Sequence, residues 1–172
     1  MSYHFEALKV LVVDDNLHMR ALLGRILQAF GVKTVYDAIS AHQAWEIFTL
    51  NPVDIILVDW VLDGMNGIEF TEKVRNAPDS PNPFVPIIMV SGYSSKECVN
   101  AARDAGVTEF LAKPVSSKAI MSRLIAVIEN PRAFVRTKTY FGPCRRRRID
   151  PFYKGPERRA SELESSEEDS AA

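Results

Sequence analysis

The chain has 172 residues, 47% of them apolar and 25% charged, with a net charge of −1. That size and mix give one globular core with an appendage, and the two cysteines, Cys98 and Cys144, exclude a disulfide-stapled scaffold and a four-cysteine zinc site. The first residues lack a basic stretch followed by an apolar one, and no apolar run nears the ~20 residues that span a bilayer, so a cytoplasmic protein without membrane insertion is expected.

The charge is segregated along the chain. Residues 1–131 carry 11 basic against 15 acidic side chains, 132–159 carry 10 against 2, and 160–172 carry 5 acidic and none basic. Apolar content drops at the same place, with only 13 such residues among the last 42. The expected organisation is an N-terminal extension at 1–8, a folded domain at 9–130, a basic arm at 131–159 and an acidic, disordered tail at 160–172.

Short apolar runs at 10–13, 33–36 (the weakest), 55–58, 87–90 and 109–112 read as strands of a parallel sheet covered on both faces. Helical segments lie between them. Asn16 caps the first, with Leu22, Leu23, Ile26, Leu27 and Phe30 on one apolar face and Gly31 as the stop. Ser40 with Gln43 reads as a capping box before Ala44, Trp45, Ile47 and Phe48. A third helix covers 66–76. Ser94 with Glu97 reads as the start of a fourth that ends at Gly106. The fifth runs from Ser116 or Ser117 to Glu129, with Ile120, Leu124, Ile125 and Ile128 inward. Five strand–helix repeats predict a doubly wound (βα)5 sandwich, an α/β fold around a five-stranded parallel sheet.

The polar residues gather where the strands end. Asp14 and Asp15 follow the first strand, Asp59 the third, Ser91 closes the fourth, and Lys113 lies just past the fifth. In an open parallel sheet these ends form the ligand crevice. Two carboxylates ~4 Å apart repel by about 4 kcal/mol at an effective dielectric of 20, so three of them call for compensation beyond Lys113. Oxygen-only ligands point to a hard divalent cation, and few protein ligands with open positions favour Mg²⁺. A lysine, a hydroxyl and Mg²⁺ around one carboxylate are the parts that stabilise a phosphoryl group in flight. Any one of these residues alone reads as a helix cap or a solvated charge; Asp14 could simply help cap the first helix. It is the five together, at successive strand ends, that point to chemistry.

Val12-Val13-Asp14-Asp15-Asn16, Ile56-Leu57-Val58-Asp59-Trp60, Met65-Asn66-Gly67, Met89-Val90-Ser91-Gly92 and Phe110-Leu111-Ala112-Lys113-Pro114 resemble the receiver domains of bacterial two-component response regulators. The resemblance covers residues 9–128 and implies a flavodoxin-like strand order, 2-1-3-4-5. It implies that Asp59 accepts a phosphoryl group from a sensor histidine kinase or a phosphotransfer protein. Mg²⁺ would be held by Asp14, Asp15, Asp59 and the backbone carbonyl of Val61, with Lys113 on the phosphoryl oxygens and a cis Lys113–Pro114 bond. Ser91 and Phe110 would read the charge and switch the face built by the fourth helix, fifth strand and fifth helix for an unknown downstream protein target. The family commonly has Thr and Tyr at those two positions, so the hydroxyl part of the aromatic readout is absent here. Such a chain is a stand-alone phosphorelay protein of signal transduction and no ordinary enzyme, catalysing only its own phosphoryl transfer and dephosphorylation. A homodimer is left open.

The arm repeats Tyr-x-Gly-Pro-x-Arg-Arg at an offset of 13, as Tyr140-Phe141-Gly142-Pro143-Cys144-Arg145-Arg146 and Tyr153-Lys154-Gly155-Pro156-Glu157-Arg158-Arg159. Gly-Pro favours a turn. Tyr140, Arg145, Arg146, Tyr153, Arg158 and Arg159 are therefore candidate binding residues, suited to nucleic acid or to an acidic protein surface. The alternative to the receiver reading is a nucleic-acid-binding or scaffold protein acting through this arm. An aspartyl-phosphate phosphatase of the haloacid-dehalogenase type needs a D-x-D pattern that Asp14-Asp15-Asn16 lacks, and no Gly-rich turn supports a nicotinamide site.

Overall fold

The computed structural model describes residues 5–145. Five parallel strands, β1 (Lys9–Val13), β2 (Thr34–Ala38), β3 (Ile55–Asp59), β4 (Ile87–Ser91) and β5 (Glu109–Ala112), form one sheet in the order β2-β1-β3-β4-β5. Between and after them run α1 (Leu17–Ala29), α2 (Ala41–Leu50), α3 (Gly67–Asn76), α4 (Lys96–Ala105) and α5 (Ser117–Glu129).

Alternation along each strand splits the core in two. Val10, Val12, Leu57, Ile88 and Val90 pack against Leu23 and Leu27 of α1 and Ile120, Leu124 and Val127 of α5. Leu11, Val13, Ile56, Val58 and Met89 pack against Phe48 of α2, Phe70 and Val74 of α3 and Ala102 of α4. β2 is the half-exposed edge, which explains its weak apolar signal and its shift to Thr34–Ala38.

The helix ends follow local hydrogen bonding. Asn16 accepts from the Met19 amide, and Gly31 takes the left-handed conformation expected of a stop. The Ser40 hydroxyl accepts from the Gln43 amide, but the Gln43 side chain accepts from Ile39 rather than from the cap residue. The expected start of α4 is corrected: Ser95, not Ser94, is the cap, accepting from the Cys98 amide and leaving Glu97 in the first turn beside the positive helix end. Ser95→Ala is expected to lose ~1 kcal/mol of stability and Ser94→Ala under ~0.5 in urea denaturation. Two helix faces are also corrected. Leu22 and Ile128 are exposed, and Val127 takes the inward position on α5.

The packed unit extends past the expected boundary at 130. A hairpin of β6 (Phe134–Arg136) and β7 (Phe141–Pro143) follows α5. Two strands alone are marginal in water, so this hairpin needs the body it rests on. Phe134 and Phe141 meet Phe84 in a three-ring cluster with centroids 5.1 to 5.7 Å apart. The Gly-Pro pair of the first repeat copy is corrected from a turn to a strand; an edge strand tolerates proline. At the other end, Phe5 is buried in the core, so packing starts inside the expected extension. Among the described residues no helix is long and apolar enough to cross a membrane.

Candidate functional site

Sheet order reverses at β1, between β2 and β3, and the acidic residues sit just beyond that switch. Asp14 is 1% exposed, where its backbone amide bonds to the Ala38 carbonyl of β2. Its Oδ1 accepts from the Asn16 amide at 2.8 Å, an Asx turn that leads into α1, and its Oδ2 accepts from Lys113 Nζ at 3.2 Å. Asp14 thus shapes the helix start and joins the cluster at once. Asp59 ends β3; its Oδ2 accepts from Lys113 Nζ at 2.7 Å, and the Val61 amide lies 3.4 Å from its Oδ1. Asp15 is the exposed member, and one carboxylate oxygen from each of Asp14, Asp15 and Asp59 lies within 4.8 Å of the others.

Lys113 is aimed by its backbone. Its amide donates to the Ser91 carbonyl at 2.8 Å, and the Lys113–Pro114 bond is cis. Burial disfavours its charge, but the Asp59 and Asp14 carboxylates outweigh that and hold the ammonium above its ordinary pKa. Asp59 goes the other way from a simple ion pair. Burial pushes its carboxyl up, Asp14 adds to that, and the bond and charge of Lys113 oppose it without cancelling it. One lysine therefore does not neutralise the pocket. The donors fit a hard divalent cation: oxygen only, one of them facing solvent, with charge left over.

Ser91 is fully buried at the end of β4, and its hydroxyl accepts from the Tyr93 amide at 2.9 Å. Phe110 on β5 is half-buried against the α2–α3–α4 core, and its carbonyl accepts from Arg123 Nε of α5. The two described arm candidates, Tyr140 and Arg145, lie elsewhere. Arg145 stacks on the Tyr140 ring at 4.2 Å and pairs with Asp104 at 3.3 Å, at the end of α4 away from the acidic cluster. Arg146, Tyr153, Arg158 and Arg159 lie outside the described residues.

Arg20 is a contributor that sequence reasoning missed. Its Nη1 donates to the carbonyls of Asp14 at 2.7 Å and Asp15 at 3.2 Å, with Nε 3.6 Å from Asp37. It fixes the backbone of the acidic turn from the first turn of α1. Nothing in a lone helical arginine signals a bond to carbonyls five and six residues behind it.

A doubly wound sheet with three carboxylates and a lysine at its switch point defines an α/β domain with an acidic pocket at the strand ends. The family model of the response regulator receiver domain matches residues 10–125, and the chain belongs to that family. The chemotaxis protein CheY1 of Helicobacter pylori is 33% identical over 122 residues, covering 70% of this chain and 97% of the relative. The chemotaxis protein CheY homolog of Campylobacter jejuni is 34% identical over 122 residues, covering 70% and 92%. The solved structure of CheY4 of Vibrio cholerae is similar with a TM-score of 0.65 at 29% identity, covering 70% of this chain and 98% of that one. The chain is a receiver of two-component signalling, a signalling domain and not a conventional enzyme. The reading as a nucleic-acid binder is not favoured, and the docked hairpin falls beyond the matched residues.

Proposed function

We propose that Asp59 is the phosphoacceptor of this receiver, taking a phosphoryl group from a phosphohistidine on a sensor kinase or phosphotransfer protein. The observation that carries the reading is Lys113 Nζ set between Asp59 Oδ2 and Asp14 Oδ2 at 2.7 and 3.2 Å, with Asp15 completing the acidic group. A carboxylate oxygen of Asp59 forms the new O–P bond, and the donor imidazole leaves with the electrons of the broken N–P bond. Lys113 then exchanges a carboxylate partner for a phosphoryl oxygen and stabilises the charge that builds there. Asp14, Asp15 and Asp59, with the Val61 carbonyl, would hold Mg²⁺, which when bound supplies charge stabilisation to the phosphoryl oxygens. Arg20 keeps the Asp14–Asp15 turn in place. The Ser91 hydroxyl, now on the Tyr93 amide, turns to a phosphoryl oxygen, and Phe110 repacks into the space released. A bias of ~1.4 kcal/mol shifts such a two-state population tenfold. The same site catalyses hydrolysis of its own acyl phosphate, the protein being expected in the cytoplasm with its kinase.

Acetyl phosphate, or beryllofluoride, with Mg²⁺ is expected to change the fluorescence of Trp60, next to the acceptor, and Asp59→Asn is expected to abolish the response. An unchanged signal in the parent protein would sink the phosphoacceptor reading. Asp59→Asn also tests the electrostatics. Because burial raises the Asp59 pKa, its contribution to stability is present at low pH and lost as pH rises through the folded value. The metal-free variant is therefore expected to be more stable than the parent at neutral pH, and Mg²⁺ to stabilise the parent far more than the variant.

A further inference from the structure

A groove of about 440 Å³ runs along α4, β5 and α5, and the chain that returns after α5 builds its end wall. Val99 and Arg103 of α4, Phe110 of β5 and Arg123 of α5 line it, joined by Arg132 and Arg145. Its charge is unbalanced. Asp104 serves both Arg103, at 3.5 Å, and Arg145, at 3.3 Å, and Glu109 lies 3.7 Å from Arg123. Arg132 donates instead to the carbonyls of Thr108 and Cys144. Four guanidiniums thus line the groove with one carboxylate, Glu109, while Asp104, outside the lining, is shared by two of them, and Arg145 Nε is buried without a hydrogen-bond partner.

We propose that the acidic segment 160–172 of this same chain docks into this groove. It carries Glu162, Glu164, Glu167, Glu168 and Asp169 and no basic residue, and it is tethered to the groove wall at Arg145. Glu162 follows Arg145 by 17 residues, and an extended chain spans ~3.3 Å per residue, so the segment reaches every part of the groove. Tethering raises its effective concentration to the order of mM, which no free acidic partner of equal affinity matches. Basic residues between 146 and 159 compete for the same carboxylates. The groove has the advantage of preorganisation, because bonds from Arg123 to the Phe110 carbonyl and from Arg132 to the Thr108 carbonyl already orient their guanidiniums. The docked segment covers the Phe110 edge, so a target reading that face must displace it. That consequence rests on the switch reading above; the docking itself does not.

The test is nitrogen-15 NMR of the full chain against a full-length variant with Glu162→Gln, Glu164→Gln, Glu167→Gln, Glu168→Gln and Asp169→Asn. Neutralisation is expected to shift the amides of Val99, Phe110 and Arg123 and the Nε signals of Arg103 and Arg145. High salt is expected to carry the parent's signals to the variant's positions, since ion pairs at a surface are screened, and protein concentration is expected to have no effect. Identical spectra, or shifts confined to residues 146–159, overturn the proposal. Shifts that depend on protein concentration also overturn it, assigning the groove to a second copy. Beryllofluoride with Mg²⁺, followed at Trp60 in both proteins, reports the receiver reading separately. Silence there with the groove shifts intact sinks only the consequence for signalling.

Discussion

Gly67→Ala is expected to cost about 3 kcal/mol or more in urea denaturation, the upper range for overpacking a tight site. A Cβ on Gly67 would stand 2.1 Å from the Asp59 carbonyl oxygen and 3.2 Å from Trp60 Cα. These are backbone atoms at the end of a central strand, and they have no rotamer to escape into. Gly67 also donates its amide to the Trp60 carbonyl at 2.9 Å, so the first turn of α3 is seated directly on the end of β3. Relief requires α3 to lift or Asp59 to move. A displacement near 1 Å loses roughly 100-fold in rate where reacting groups are prepositioned, so phosphorylation by acetyl phosphate should fall together with stability. Gly24→Ala is the control. It sits in the middle of α1 with nothing within 4 Å of the added methyl, and helix propensity predicts a gain of up to ~1 kcal/mol. Equal stability of Gly67→Ala and the parent would show that the α3–β3 junction is not the tight contact described.

The acidic site was legible in the sequence because each member is fixed by a local rule: a polar residue at the end of an apolar strand points into the crevice whatever the distant packing does. Apolar runs located β1, β3 and β4, whose Val and Ile residues lie in the buried interior of the sheet, and also β5, a partly buried edge strand of Glu-Phe-Leu-Ala. Leu22 and Ile128 misled, because a helical stripe read without its neighbours comes out wider than the groove it fills. Ser94 and Ser95 are equally good caps by composition, and only the hydrogen bond to the Cys98 amide separates them. The hairpin had no local signature at all. Its strands have three residues each, and its docking partners, Arg75, Phe84 and Gly106, are remote in sequence. Gly142 shows why the glycine of the first repeat copy matters there. A Cβ on it would come within 2.9 Å of Gly106 Cα and 2.5 Å of the Tyr140 hydroxyl, so two glycines let strand and loop touch.

Arg75→Ala is expected to destabilise the protein by about 3 kcal/mol and to undock the hairpin, because this one side chain joins α3 to everything packed at that edge. Arg75 is 1% exposed; its Nε donates to the Gly106 carbonyl at 3.0 Å and its Nη1 to the Pro83 carbonyl at 2.8 Å. The guanidinium also stacks on Phe134, 5.1 Å from the ring centroid. Burial pushes its pKa down to about 9, which still leaves it charged at neutral pH. Truncation leaves a void under Phe134 and removes the donor from both carbonyls. Arg75→Met fills most of the void without restoring the donors, so about 1–2 kcal/mol of loss should remain. Hydrogen exchange localises the effect. The amides of Thr137 and Cys144, which bond to Tyr140 and Ala133 across the hairpin, should lose protection in Arg75→Ala. Those of β1 and β3 should fall only in step with global stability. Unchanged protection at Thr137 and Cys144 would mean that the three phenylalanine rings hold the hairpin without the arginine.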